Sequence, residues 1–255
     1  MKTIRSIVEL REELAGRSGT LGLVPTMGAL HAGHRALIDA ARSECDTVVV
    51  SLFVNPAQFN EAADLAAYPR DEERDAAMAA DAGVDFLFAP EPGEIYPDGF
   101  QTWVDVEELS RGLEGAYRPG HFRGVATVCL KLFNIVRPQF AYFGQKDAQQ
   151  IAVVRRMVRD LNLDLTVRSI PTVRDPDGLA ISSRNVLLSE DERTAALALP
   201  RALETRDPAA ARAALNGLDV DYVEVADFDP PVLAAAVRVG STRLIDNVIL
   251  EREER

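Results

Sequence analysis

From residue 20 to residue 170 the chain alternates short apolar runs with longer amphipathic ones. Residues 20–25, 47–54 (TVVVSLFV), 84–89, 139–143 and 165–170 are apolar runs of strand length. Between them, residues 33–43, 71–82, 124–136 and 148–161 place apolar side chains at helical spacing. Strands that are apolar on both faces, each followed by a helix, predict a parallel sheet covered by helices on both sides. The expected fold class is therefore α/β, with a Rossmann-like parallel sheet. Ligands in such sheets gather beyond the carboxyl ends of the strands.

The pattern changes after about residue 171. Asp175-Pro176-Asp177-Gly178 is a turn signal. Ser189 and Glu192 have capping-box spacing and open an expected helix over 189–204. A short helix over 209–216 follows, then alternating, half-buried strands over 221–226 and 243–250. This is a small C-terminal α+β domain. The expected division is 1–172 for the Rossmann-like unit and 173–255 for a lid.

Composition limits the partners. A net charge of -12 disfavours nonspecific binding to nucleic acid or to an anionic membrane. Any anionic ligand must then be held by a local cluster of positive groups. Two cysteines, Cys45 and Cys129, exclude a disulfide framework and a cysteine-ligated zinc site, and both sit in apolar surroundings. No apolar run approaches the roughly 20 residues that span a bilayer, and the N-terminus has no signal-like core. The expectation is a soluble cytoplasmic protein.

Three segments at strand–helix joints carry chemistry. In PTMGALHAGH (25–34), Gly28 and Gly33 let the backbone approach a ligand, and the helix start offers N–H groups to phosphate. His31 and His34 share one face of its first turn and can donate to charge building on a phosphate. A helix start that merely carries polar residues remains the alternative. A zinc site on His31, His34 and His121 would use every histidine and leave the glycines without a role. The second segment, FGQKDAQQ (143–150), places Lys146 where arginine is the usual base of this chain. It lacks the Walker spacing, and a solvated helix start explains it equally well when read alone. The third, ISSRN (181–185), sets two hydroxyls and a guanidinium on a loop able to close over phosphates. Gln58, after the strand ending at Val54, is a candidate for a polar substrate or an ordinary turn amide. Glu114, Arg118 and His121 in EGAYRPGHF read more readily as loop-fixing residues.

Taken in order, PTMGALHAGH, SLFVNPAQF, YPR, EGAYRPGHF, IVRPQFAYFGQKDAQQ and ISSRN resemble the pantothenate synthetases, within the HIGH-motif nucleotidyltransferase superfamily. HAGH is similar to the HIGH nucleotide motif, and ISSRN to the KMSKS loop. The resemblance implies ATP-dependent ligation of pantoate to β-alanine through a pantoyl-adenylate. It implies ATP on Met27, Gly28, Ala29, Leu30, His31, Ala32, Gly33 and His34, on Gly144, Gln145, Lys146 and Asp147, and on Val173, Ile181, Ser182, Ser183 and Arg184. The catalytic groups would be His34, His31, Lys146 and Arg184. Gln58 and Gln150 would hold pantoate, with Gln58 also near β-alanine. Asp75, seven residues after Tyr68, matches an aspartate associated with Mg2+, and Arg74 stands where some relatives carry a second acid. The resemblance also implies a homodimer. A nucleotidyltransferase that stops after one step and a non-catalytic nucleotide-binding module are the rival readings; the second has no need of His34 or Lys146.

Overall fold

The computed structural model describes residues 1–60 and 62–251. β1 (Lys2–Ile4), β2 (Leu21–Thr26), β3 (Thr47–Leu52), β4 (Phe86–Phe88), β5 (Phe140–Gly144) and β6 (Thr166–Ile170) form one parallel sheet in the order β1-β4-β3-β2-β5-β6. The side-chain period of two splits the apolar strands between two cores. Val48 and Val50 of β3 pack with Leu37, Ile38 and Ala41 of the helix Ala32–Glu44. Val49 turns to the other face, against Val125, Phe133 and Val154 of the helices His121–Val136 and Ala148–Asp160. The α/β expectation therefore holds, and for the stated reason: the strands are apolar throughout because both faces are covered.

Chain order reverses beside β2. From β2 the chain moves to β3 and β4 on one side, then crosses to β5 and β6 on the other. The crevice between the carboxyl ends of β2 and β5 is where such sheets bind ligands.

β7 (Asp219–Ala226), β8 (Val232–Val239) and β9 (Thr242–Ile249) form a separate antiparallel sheet. One face packs on its own helices through Leu199, Leu203, Ala211, Val223, Leu233 and Ala235. The other face, through Tyr222, Val232, Ala234 and Ala236, packs on Leu113 and Ala148 of the larger unit. The small sheet is thus a middle layer, covered on both sides.

Four local expectations change. β1 and the helix Ile7–Ala15, capped by Ser6, were not anticipated. β8 was missed because VLAAAVRV does not alternate: as the middle strand it is buried on both faces, and its alanines carry little strand signal. The helix over 189–204 is two helices, Glu190–Ala196 and Ala198–Leu203. Pro200 has no N–H to give the Ala196 carbonyl, so the helix breaks one turn before it. The helix placed at 124–136 begins at His121. Among the described residues no helix is long and apolar enough to cross a membrane.

Candidate active site

A cavity of about 250 Å3 opens over the carboxyl ends of β2, β3, β5 and β6. Residues that follow each strand line it: Met27 after β2, Phe53 and Gln58 after β3, Lys146 after β5, Pro171 and Val173 after β6. Ile181, Ser182, Ser183 and Arg184 close it from the side of the smaller unit. The structure thus brings His31, His34, Lys146, Gln150 and Arg184 to one cavity from segments far apart in sequence.

The turn after β2 fixes the protonation of both histidines. His31 is the N-cap of the helix Ala32–Glu44, and its Nδ1 accepts from the Gly33 N–H at 3.1 Å. His34 Nδ1 accepts from the His31 N–H at 3.3 Å, completing a capping box made of two imidazoles. A backbone N–H can only donate, so each Nδ1 keeps its lone pair and each neutral ring carries its proton on Nε2. Burial, with the neighbouring Lys146 ammonium, holds His31 down at about 4. Burial, then His31, then Lys146 hold His34 down at about 3. Both rings, 4.1 Å apart, are therefore neutral Nε2–H donors at neutral pH.

This arrangement revises the role of the loop amides. The amides of Ala29 and Leu30 are bonded to Asp75, and those of His31 and Gly33 to the two imidazoles. Those four backbone donors are engaged inside the protein. Leu30 is buried in the core, and Gly28, Ala29, Leu30 and Ala32 stay outside the cavity wall. Gln145 does too: its Oε1 accepts from Ser169 Oγ at 2.6 Å, and its Nε2 donates to Asn247 Oδ1 at 3.3 Å. Asp75 lies only 2% exposed with both oxygens on backbone amides. Among the described residues no group of three or more His, Cys, Asp or Glu is placed to hold a metal. The side chains present do not form a cation cage.

Gln58 is held in place by its surroundings. The turn Pro56–Gln58 sits directly on the helix His121–Val136 at Gly124, where a Cβ would stand 2.3 Å from the Ala57 carbonyl oxygen. Asn55 Nδ2 donates to the Gly124 carbonyl at 3.1 Å and to Gln58 Oε1 at 2.9 Å. Gln58 Nε2 donates to Met27 Sδ at 3.0 Å. His121 Nδ1 donates to the Gln58 carbonyl at 2.9 Å, while its Nε2 accepts from Arg118 at 3.2 Å. Burial, then Arg118, keep His121 neutral at about 4.

The EGAYRPGHF segment therefore divides. Arg118 and His121, read as loop-fixing residues, line the cavity. Glu114 does fix the loop: it takes a bidentate pair from Arg243 of β9, both bonds 2.7 Å, and the Tyr222 hydroxyl at 2.9 Å. Burial alone would raise Glu114, but these partners outweigh it and hold its carboxyl below the usual range. Sequence reasoning also passed over Tyr68 and the apolar wall of Val125, Val128 and Leu132. The wall's apolar spacing on one helix was visible but looked like ordinary core.

The segment carrying Arg184 meets the helix Ala62–Ala67 beside the cavity. Arg184 lies 3.5 Å from Asp64 of that helix.

Comparison with known proteins supports the same assignment across the whole length. The pantothenate synthetase of Heliobacterium modesticaldum is 52% identical over 98% of this chain and 99% of its own. That of Rhizobium rhizogenes is 50% identical over 100% and 98%. The crystal structure of the Thermus thermophilus enzyme superposes with a TM-score of 0.93 at 46% identity, covering 98% of this chain and 99% of that one. A Francisella tularensis pantoate-beta-alanine ligase, crystallised with beta-gamma ATP and beta-alanine, gives 0.87 at 35% identity, covering 98% and 97%. With residues 1–249 matching the profile of the Pantoate-beta-alanine ligase family and the cavity assembled where that fold binds its ligands, the chain belongs to that family.

Proposed function

We propose that this cavity joins pantoate to β-alanine in two steps at the expense of ATP. One observation carries the reading: neutral Nε2–H imidazoles, an ammonium and a guanidinium share a cavity whose other wall is apolar and edged by two amides. In the first step the pantoate carboxylate attacks the α-phosphorus of ATP, and pyrophosphate leaves. His31, His34, Lys146 and Arg184 donate to oxygens whose negative charge grows in that transition state. In the second, the amine of β-alanine attacks the acyl carbon, AMP departs with the bonding pair, and the amine loses a proton. Gln58 and Gln150 bind the polar groups of pantoate, and Val125, Val128 and Leu132 take its methyl groups.

ATP lies between the turn after β2, the Gly144–Lys146–Asp147 turn and the Val173 and Ile181–Arg184 strap. Mg2+ enters as the complex of ATP, held by phosphate and water, as is usual for this ion. Residues 1–172 bind nucleotide and pantoate, and 173–255 act as the lid; of these, 252–255 lie outside the described residues. Family resemblance supports a cytoplasmic homodimer. The covers joined by Arg184 and Asp64 shield the mixed anhydride from water.

Exchange of labelled pyrophosphate into ATP tests the order of steps. Exchange is expected to require pantoate and Mg2+ but not β-alanine. Exchange without a carboxylate, or an absolute need for β-alanine, would overturn the adenylate reading.

A further inference from the structure

Asp75 sits in the first turn of the helix Glu72–Asp81, 2% exposed. Its Oδ2 accepts from the Ala29 N–H at 2.8 Å and its Oδ1 from the Leu30 N–H at 2.7 Å. The turn that brings these two consecutive amides onto one carboxylate is unusual. Gly28 has φ 88° and Ala29 φ 52°, so two successive residues take the left-handed conformation. Such a turn makes a concavity of N–H groups that attracts an anion. Here the anion is the protein's own carboxylate. A Cβ on Gly28 would stand 3.0 Å from Asp75 Oδ2, which shows how closely the carboxylate is seated.

Left-handed backbone at a non-glycine residue is sterically strained. Charge-assisted bonds to two amides offset that strain. His31 and His34 follow directly, and their cap on the helix depends on where the turn delivers residue 31.

We infer that Asp75 is a positioning residue, which clamps the turn carrying the two histidines, and that it does not ligate the metal of the reaction. This rests on the nucleotide site proposed above. Its carboxylate is already seated on two donors and closed off from water, so a cation would have to displace them.

The test separates turn from metal by working without metal. In EDTA, amide hydrogen exchange of the wild-type protein should show Ala29 and Leu30 strongly protected. Free exchange at both would overturn the inference without any variant. Asp75→Asn keeps one acceptor oxygen and sets an NH2 group against the other amide. It should speed exchange at Ala29 and Leu30 and weaken AMP binding in EDTA by roughly 10- to 100-fold. The Mg2+ concentration giving half-maximal pyrophosphate exchange should stay that of the wild type. Unchanged AMP binding with a raised Mg2+ requirement would assign Asp75 to the metal instead. Should Asp75→Asn fail to fold, Asp75→Glu replaces it. That variant keeps the charge but moves the carboxylate by a methylene, so the same loss of AMP binding is expected. Absence of AMP binding by the wild type would refute the nucleotide site itself, while the exchange measurement still decides the clamp.

Discussion

Acidification from pH 7 to pH 5 should destabilise this protein before any carboxylate titrates. His31, His34 and His121 are neutral in the folded state chiefly because they are buried beside positive or ring neighbours, and each ring's lone pair accepts from an N–H. Their folded values are held near 4, 3 and 4, against an unfolded value of about 6.5. In that window the unfolded chain binds protons that the folded one refuses, so stability falls as pH falls below 6.5 and levels off near the folded values. With three such groups the slope approaches about 4 kcal/mol per pH unit. Integrated from pH 7 to pH 5, three ideal sites give about 5–6 kcal/mol. His31 and His34 are half-buried, so about 3–4 kcal/mol is the working figure, still a large share of a typical folding stability. Carboxyls with lowered values, such as Glu114 and Asp46, lose their contribution only below about 4.5 and leave the window to histidine. The assay is the urea midpoint at half-unit pH steps, followed by circular dichroism. A fall of about 1 M or more between pH 7 and pH 5 is expected at an ordinary m-value. A midpoint flat to pH 5 and falling only below 4.5 would refute the assigned protonation of all three rings.

Gln58→Ala should weaken pantoate binding by about 1.5–3 kcal/mol in calorimetry while ATP binding stays within a few tenths, and equal losses for both would place the damage in the fold. Asn247→Ala removes two bonds of 2.9 Å to the Gln145 and Lys146 carbonyls. It should slow single-turnover adenylation about tenfold with little change in pantoate affinity, and normal adenylation would show that the Lys146 turn needs no support from β9.

What could be read from sequence was local. The glycines, histidines and lysine at the joints after β2 and β5 declare themselves because strand, turn and helix start are adjacent in the chain. Apolar runs declared the buried strands for the same reason. What escaped was what depends on distant partners or on a missing pattern. Asp75 meets its amides across 45 and 46 residues, Asn247 its carbonyls across 101 and 102, and Arg243 its carboxylate across 129. None of these pairs leaves a periodicity. The helix His121–Val136 hid its part for another reason: Val125 and Val128 are core residues and cavity wall at once.

The sequence pattern changes near residue 172, and contacts cross that point in both directions. Arg174 pairs with Asp246 of β9 at 2.6 Å, and the Asp246 side chain is 1% exposed. The next residue, Asn247, holds the backbone on either side of Lys146. Thus one strand of the small sheet fixes both the segment leading to the strap that carries Arg184 and the turn that carries Lys146. On the face of that sheet turned to the larger unit, Arg243 and Tyr222 grip Glu114, four residues before the Arg118 that bonds His121. Breaking the buried Glu114–Arg243 pair would strand a charge, at a typical cost of about 3–5 kcal/mol, so that contact resists piecemeal opening. Lys146 and Arg184 belong to different units, yet a phosphate bridging them would meet a spacing set by β9. The contact of Arg184 with Asp64 beside the cavity is solvent-screened and weak beside the buried Glu114–Arg243 pair.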